Sequence, residues 1–235
     1  GIRRIIDELA LCGTVLEDAG LEHVISFDYV FISERDWNES WKKKFEPIDA
    51  GECFSILPPW ENRKKGRINL IIDPGMAFGT GHHETTRSCL MLIERLARNN
   101  AKDRFLDVGT GTGILAIAAS MLGFRHVVGL DIDPLAIDAS QRNIKLNNLE
   151  NIVIHDGPVV RTFGTFDFIA ANLMSEILIH IAPDLAPCLD NSGTALMSGM
   201  LSGQEDDVVD AMEQQGLKFS ETYSDGRWVS VVMTR

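Results

Sequence analysis

From Arg67 to the C-terminus, short runs rich in β-branched and aromatic residues alternate with longer stretches of helical periodicity. Parallel strands can only be joined by a crossover, so this alternation predicts βαβ units and a mostly parallel sheet with helices on its faces. The runs place strands at Ile68–Ile72, Phe105–Val108, Val127–Asp131, Ile152–His155, Phe166–Ala171, Thr194–Ser198, Phe219–Ser224 and Trp228–Met233. Helices are predicted over Glu84–Arg98, Gly113–Leu122, Pro134–Leu146, Ser175–Leu189 and Gln204–Gln215. Pro134 suits a first helical turn, where its missing N–H would have no partner anyway. Only Asp225-Gly226 separates the last two strands, so the sheet is expected to finish in an antiparallel hairpin.

Upstream of this block, residues 1–35 read as a helix carrying Ile5, Ile6, Leu9, Leu16 and Leu21, followed by a short apolar strand around Val24–Ile32. This piece is too small to fold alone. Residues 36–66 hold Trp37, Trp41, Phe45 and Trp60 with the rigid Pro58-Pro59 pair, and are expected to be a linker packed on the main domain, residues 67–235. Cys12, Cys53, Cys89 and Cys188 lack the paired spacing of a zinc site, which leaves four reduced thiols. A net charge of -12 argues against a broad grip on nucleic acid, whose affinity comes largely from Lys and Arg on phosphates. It is compatible with a basic protein partner. No apolar run approaches the roughly 20 residues of a membrane span, and no export signal is visible, so a cytoplasmic protein is expected.

The first of the core strands ends at Asp107 and runs into Val108-Gly109-Thr110-Gly111-Thr112-Gly113. Three glycines let the backbone turn sharply and approach a ligand with no Cβ between them. A dinucleotide fingerprint would need a further glycine where Ile114 stands, which disfavours a nicotinamide cofactor. Asp131 closes the next strand, where a carboxylate can accept hydrogen bonds from a ribose diol. The competing reading of the turn is tight strand-to-helix packing. A second glycine segment, Pro74 to Thr86, leads into a helix and can fold over a cofactor, with Thr85 and Thr86 offering hydroxyls near the helix N-terminus; a plain capping loop is its alternative. His82 and His83 are adjacent, and no Asp or Cys nearby completes a metal set. Asn172 ends the strand before Leu173-Met174, either at a ligand-binding sheet edge or as a helix cap.

Read together, these residues resemble the PrmA-type methyltransferases that modify ribosomal protein L11. The similarity runs through Asp36-Trp37-Asn38-Glu39-Ser40-Trp41, Phe45, Pro47, Pro58-Pro59-Trp60, the Asp73–Thr86 segment, the Asp107–Ile114 turn, Asp131-Ile132-Asp133-Pro134, Ala171-Asn172-Leu173 and Leu196–Leu201 with Gln204. The resemblance implies a Rossmann-like seven-stranded methyltransferase sheet of the α/β class, S-adenosyl-L-methionine as cofactor, and ribosomal protein L11 as protein substrate. It also implies that Thr86, Gly109, Asp131 and Asn172 contact the cofactor, with Asp107 and Gly111 in the same loop. Where the family commonly has Thr then His-Pro, this chain has His82 then His83-Glu84. The family's ferredoxin-like N-terminal domain recognises the ribosomal protein, and residues 1–35 correspond to about its second half.

The expected activity is N-methylation of lysine side chains and/or N-terminal amino groups, with Asn172 orienting the amine and no metal needed. The rival readings are methylation of another protein lysine or a small-molecule amine at the same site, and a non-catalytic module that only binds the cofactor.

Overall fold

The computed structural model describes residues 45–73, 81, 83–98, 103–160 and 163–235. The expectations placed on residues 1–44, on the segment 74–80 and on His82 lie outside the described residues. All described residues belong to one compact unit, Phe45–Arg235.

In chain order the elements are β1 (Ile48–Ala50), β2 (Phe54–Leu57), β3 (Ile68–Ile71), α1 (Glu84–Ala97), β4 (Arg104–Val108), α2 (Ile114–Met121), β5 (His126–Asp131), α3 (Pro134–Leu146), β6 (Ile152–Asp156), β7 (Phe166–Asn172), α4 (Ser175–Leu185), a single 3-10 turn (Ala186–Cys188), β8 (Leu189–Leu201), α5 (Glu205–Glu213), β9 (Lys218–Asp225) and β10 (Trp228–Thr234). The seven-stranded sheet has the order β6-β5-β4-β7-β8-β10-β9. Strands β6 to β8 run parallel, and β10 is antiparallel to both β8 and β9. The expected α/β sheet with its closing hairpin is therefore present.

The differences are local. Asp225 pairs with Trp228, so the hairpin loop is Gly226-Arg227, one residue later than expected, and Gly226 takes the positive φ (60°) that primed turns favour. The helix expected to reach Leu189 stops at Leu185, because Pro187 in the following turn cannot supply the N–H of a continuing helix. Leu189 instead opens β8, which is far longer than the five residues Thr194–Ser198 expected from the sequence.

Alternation along the strands sorts the core onto two faces. Phe105, Val127, Phe168 and Leu196 point to the side covered by α1 and α2, while Leu106, Ile169, Ala195 and Met197 face α4 and α5. Phe105 stacks on Phe168 at 5.3 Å between ring centroids and meets Phe124 edge-on at 5.1 Å. α2 is buried over nearly its whole length, which explains why Ile114–Ala119 carries no polar stripe.

The stretch expected as a linker carries β1 and β2, and β3 joins them in a small sheet instead of the large one: β1 pairs antiparallel and β3 parallel to β2. Every residue of β2 is buried. Two asparagines of the α3 region tie this sheet down. Asn147 Oδ1 accepts from Ile71 N at 2.9 Å and its Nδ2 donates to Ile71 O at 2.7 Å, reproducing one rung of a β-ladder with a side chain. One turn earlier, Asn143 Oδ1 accepts from Asp73 N at 2.9 Å. Glu94 of α1 similarly accepts from the N–H groups of Glu52 and Cys53 in the β1–β2 turn.

Removing the Asn147 amide strands a buried N–H and a buried C=O, each worth about 1–3 kcal/mol when left unpaired. Asn147→Ala is expected to lower the unfolding free energy by about 2–3 kcal/mol in urea titration; a midpoint equal to wild type would show that the rung contributes nothing.

Candidate active site

A sheet whose order runs β5-β4-β7 has its switch point between β4 and β7: the chain leaves β4 outward to β5 and β6, then returns to β4's other side. The loops at the carboxyl ends of these two strands diverge there and leave a crevice. Gly109 follows β4, Asp131 ends β5 and Asn172 ends β7, so three of the sequence-predicted site residues reach one edge. With Gly111 they line a single cleft of about 610 Å³, a size that suits a nucleoside-sized ligand.

The turn after β4 is held from below. The N–H groups of Gly109 and Thr110 both donate to Leu130 O at 2.9 Å. Gly109, Gly111 and Gly113 all take positive φ (73°, 56° and 81°), the left-handed region that side chains disfavour. At Gly109 a Cβ would also lie 2.5 Å from Leu173 Cδ2, so a side chain there would have to displace the end of the Leu173 side chain. Asp131 then braces the turn from the side. Its Oδ2 accepts from Gly111 N at 2.9 Å and its Oδ1 from Asp133 N at 3.0 Å. A carboxylate oxygen has two acceptor sites, so each remains able to take a ligand hydroxyl.

Asp107 does not line the cleft. It is 1% exposed, and its Oδ2 accepts from Thr110 Oγ1 at 2.7 Å and from Ala116 N at 3.2 Å. The second bond satisfies an N–H of α2's first turn, whose cap, Gly113, has no side chain to do so. Burial, helped by the nearby Asp131 charge, outweighs the two hydrogen bonds that favour the carboxylate, and the Asp107 carboxyl is pushed up to about 7.

Asn172 is not a cap. The N-cap of α4 is Met174, without a side-chain bond, and Asn172 Oδ1 is buried with no partner among the described residues. The following loop is threaded close to β8: Leu173 N donates to Ser198 O, and a Cβ on Gly199 would sit 2.5 Å from Leu173 O. His83 is the N-cap of α1, its Nδ1 accepting from Thr85 N at 3.3 Å, and its ring meets Trp228 edge-on at 4.7 Å. His83, Thr85 and Trp228 all line the cleft. Thr86 does not; it is 1% exposed, with Oγ1 buried and unpartnered among the described residues.

Several lining residues were not legible as such. Trp228 was readable only as a strand start, and Leu135, Met174 and Ile177 only as helix-region apolar residues, yet these three form an exposed apolar rim. Topology alone brings them together. Among the described residues no three His, Cys, Asp or Glu side chains group to hold a metal, and no helix is long and apolar enough to cross a membrane.

The family described as ribosomal protein L11 methyltransferase (PrmA) matches residues 7–235. The chain belongs to this family. A ribosomal protein L11 methyltransferase of Clostridium perfringens (strain SM101 / Type A) is 38% identical over 223 residues, covering 92% of this chain and 70% of that protein. The crystal structure of a ribosomal protein L11 methylase from Lactobacillus delbrueckii subsp. bulgaricus superposes with a TM-score of 0.74 at 31% identity, over 81% of this chain and 99% of that one. A TehB-like SAM-dependent methyltransferase from Corynebacterium glutamicum shares the fold at 19% identity and a TM-score of 0.51, over 63% of this chain and 86% of that one. This family member is thus a methyltransferase, and the cofactor that the sequence resemblance implies for it is S-adenosyl-L-methionine. The cleft suits that molecule: a cradle that a Cβ at Gly109 would fill, a carboxylate at Asp131, and an orphaned amide oxygen at Asn172.

Asp107 gives the family member a distinctive acid response. In the unfolded chain its carboxyl titrates near 3.8, in the native state near 7, so between these values the folded protein holds a proton that the unfolded one has shed. Its contribution to stability therefore falls as pH rises through that window, by about 1.4 kcal/mol per pH unit at most, and is flat above it. Asp107→Asn keeps the acceptor oxygen but not the titration. Urea unfolding at pH 4.5, 6 and 8 should show the variant gaining stability on wild type as pH rises; parallel curves would place the native Asp107 carboxyl in its ordinary range.

Proposed function

We propose that the chain methylates lysine side chains and/or the N-terminal amino group of ribosomal protein L11, in the cytoplasm. The names of its relatives support the substrate, and the buried, unpaired Oδ1 of Asn172 on the cleft wall carries the site assignment. When bound, S-adenosyl-L-methionine supplies an electrophilic methyl group on a sulfonium centre.

The residues that hold it in this reading are Gly109, Gly111, Asp131 and Asn172, while Asp107 shapes the turn from beneath and Thr86 stays in the interior. Asp131 grips the ribose hydroxyls through the acceptor sites its two backbone bonds leave over. The amine must arrive uncharged. A lysine titrates near about 10.4 in water, and an apolar surrounding lowers that value by disfavouring the charged form. Leu135, Met174 and Ile177 provide such a surrounding at the rim. Asn172 Oδ1 then accepts an N–H of the amine and fixes the direction of its lone pair, and bulk water takes the proton, so no side chain need act as base. Residues 1–35 serve as part of the substrate-recognition region, and residues 45–66, which carry β1 and β2, belong with 67–235 to the methyltransferase unit. A net charge of -12 suits a basic ribosomal partner.

Radiolabelled transfer to purified ribosomal protein L11 tests the reading. Misplacing a nucleophile by an ångström lowers turnover by about 100-fold, and Asn172→Ala should do so. Asp131→Ala, which removes charge-assisted hydrogen bonds worth about 1.5–3 kcal/mol, should weaken cofactor binding about 10- to 100-fold in calorimetry. Full transfer by Asn172→Ala, or no heat of binding in the wild-type protein, would refute the assignment.

A further inference from the structure

Asn143 lies on α3, outside the cleft, and is 1% exposed. Its carboxamide faces two ways. Oδ1 accepts from Asp73 N at 2.9 Å, while Nδ2 donates to Thr112 O at 2.8 Å. Thr112 sits inside the glycine turn, between Gly111, whose N–H is held by Asp131, and Gly113, on which a Cβ would press against Ser140 of the same helix at 3.1 Å. Asp73 stands two residues beyond β3, just past Ile72, whose N–H still donates to Leu57 O of β2. One buried side chain therefore spans from the cofactor turn to the root of the upstream glycine segment, across a sequence separation of 70 on one side and 31 on the other.

The neighbouring amide provides an internal contrast. Asn147, one helical turn on, holds Ile71 by two bonds and also donates to Asn143 O, and it makes no bond to the turn. Its role is to anchor the small sheet. Asn143 shares that anchoring and adds the Thr112 bond, so the two residues differ in the contact that reaches the ligand-bearing loop.

We propose that Asn143 is a positioning residue for cofactor binding, holding the glycine turn in its ligand-ready shape and coupling it energetically to the backbone at Asp73. A turn of glycines has many conformations open to it, and a ligand that needs one of them binds more weakly by whatever fraction of the time the turn spends elsewhere. The Thr112 carbonyl is the handle by which α3 restricts that freedom. Because coupling between sites is reciprocal, a ligand on the turn must in return steady the Asp73–Asn143 bond.

The inference rests on the cofactor site proposed above, and the test separates the two. Calorimetry with S-adenosylhomocysteine, the demethylated product, is run on wild type, Asn143→Ala, Asn143→Asp and Asn147→Ala. Asn143→Asp keeps the acceptor for Asp73 N but sets a carboxylate oxygen against the Thr112 carbonyl. Both Asn143 variants should bind at least fivefold more weakly and raise the KM for S-adenosylmethionine more than they lower kcat; Asn147→Ala should bind within twofold of wild type despite its lower stability. If the Asn143 variants do not fold, amide hydrogen exchange on the wild-type protein decides. Saturating S-adenosylhomocysteine should slow exchange at Asp73 at least threefold. Equal affinities in all four proteins, or unchanged exchange at Asp73, would overturn the proposal while leaving the cofactor site standing. Absence of binding to the wild-type protein would overturn the site itself.

Discussion

The run of positive φ angles at Gly109, Gly111 and Gly113 is the constraint on which the site is built. Side chains at these positions would strain the turn from β4 into α2, and at Gly109 a Cβ would displace the end of the Leu173 side chain. The consequence reaches beyond the turn. Because Leu173 can come so close, Asn172 is brought to the wall of the same cleft, and a second glycine, Gly199 in β8, admits the backbone of that loop from the other side. Two parallel strands thus end in loops that pack through backbone and glycine contacts, which leaves their polar groups free to face a ligand.

The larger architecture was legible because it is periodic. Runs of six or so β-rich residues and helices of ten or more leave patterns that single positions cannot blur, and the alternation itself called for a mostly parallel sheet. Gly109, Gly111, Asp131 and Asn172 were also legible, since each stands at the carboxyl end of a strand where open sheets collect ligands. What escaped was set by geometry between distant segments. β1 and β2 have three and four residues, too few to show a period, and their burial comes from α1 and from each other. The amides of Asn143 and Asn147 bond main-chain groups 70 and 76 residues away, with no local sequence signal that distinguishes them from helix-surface asparagines. Thr85 and Thr86 are adjacent, but the turn of α1 sends one to the cleft and the other into the interior, a choice that depends on the helix's phase.

Asp107 and Asp131 show how two carboxylates near one loop come to differ. Asp107 is enclosed, and its hydrogen bonds from the turn's own Thr110 and from the first turn of α2 fall on one oxygen and come from inside the fold. Its charge is therefore disfavoured by burial, and its hydrogen bonds serve the loop's internal shape. Asp131 stands at the cleft, where solvent and ligand reach it, and its two oxygens each take a backbone N–H from a different side of the opening. A carboxylate oriented before the ligand arrives loses little freedom when a diol binds, so its hydrogen bonds appear more fully as affinity. The same reasoning makes the unpaired oxygen of Asn172 informative. A buried acceptor left without a partner costs about 1–3 kcal/mol, and folds retain such a group chiefly where a partner arrives later. In a cleft already furnished with a shaped turn and a pre-aimed carboxylate, the proposed function supplies that partner as the amine that meets the cofactor.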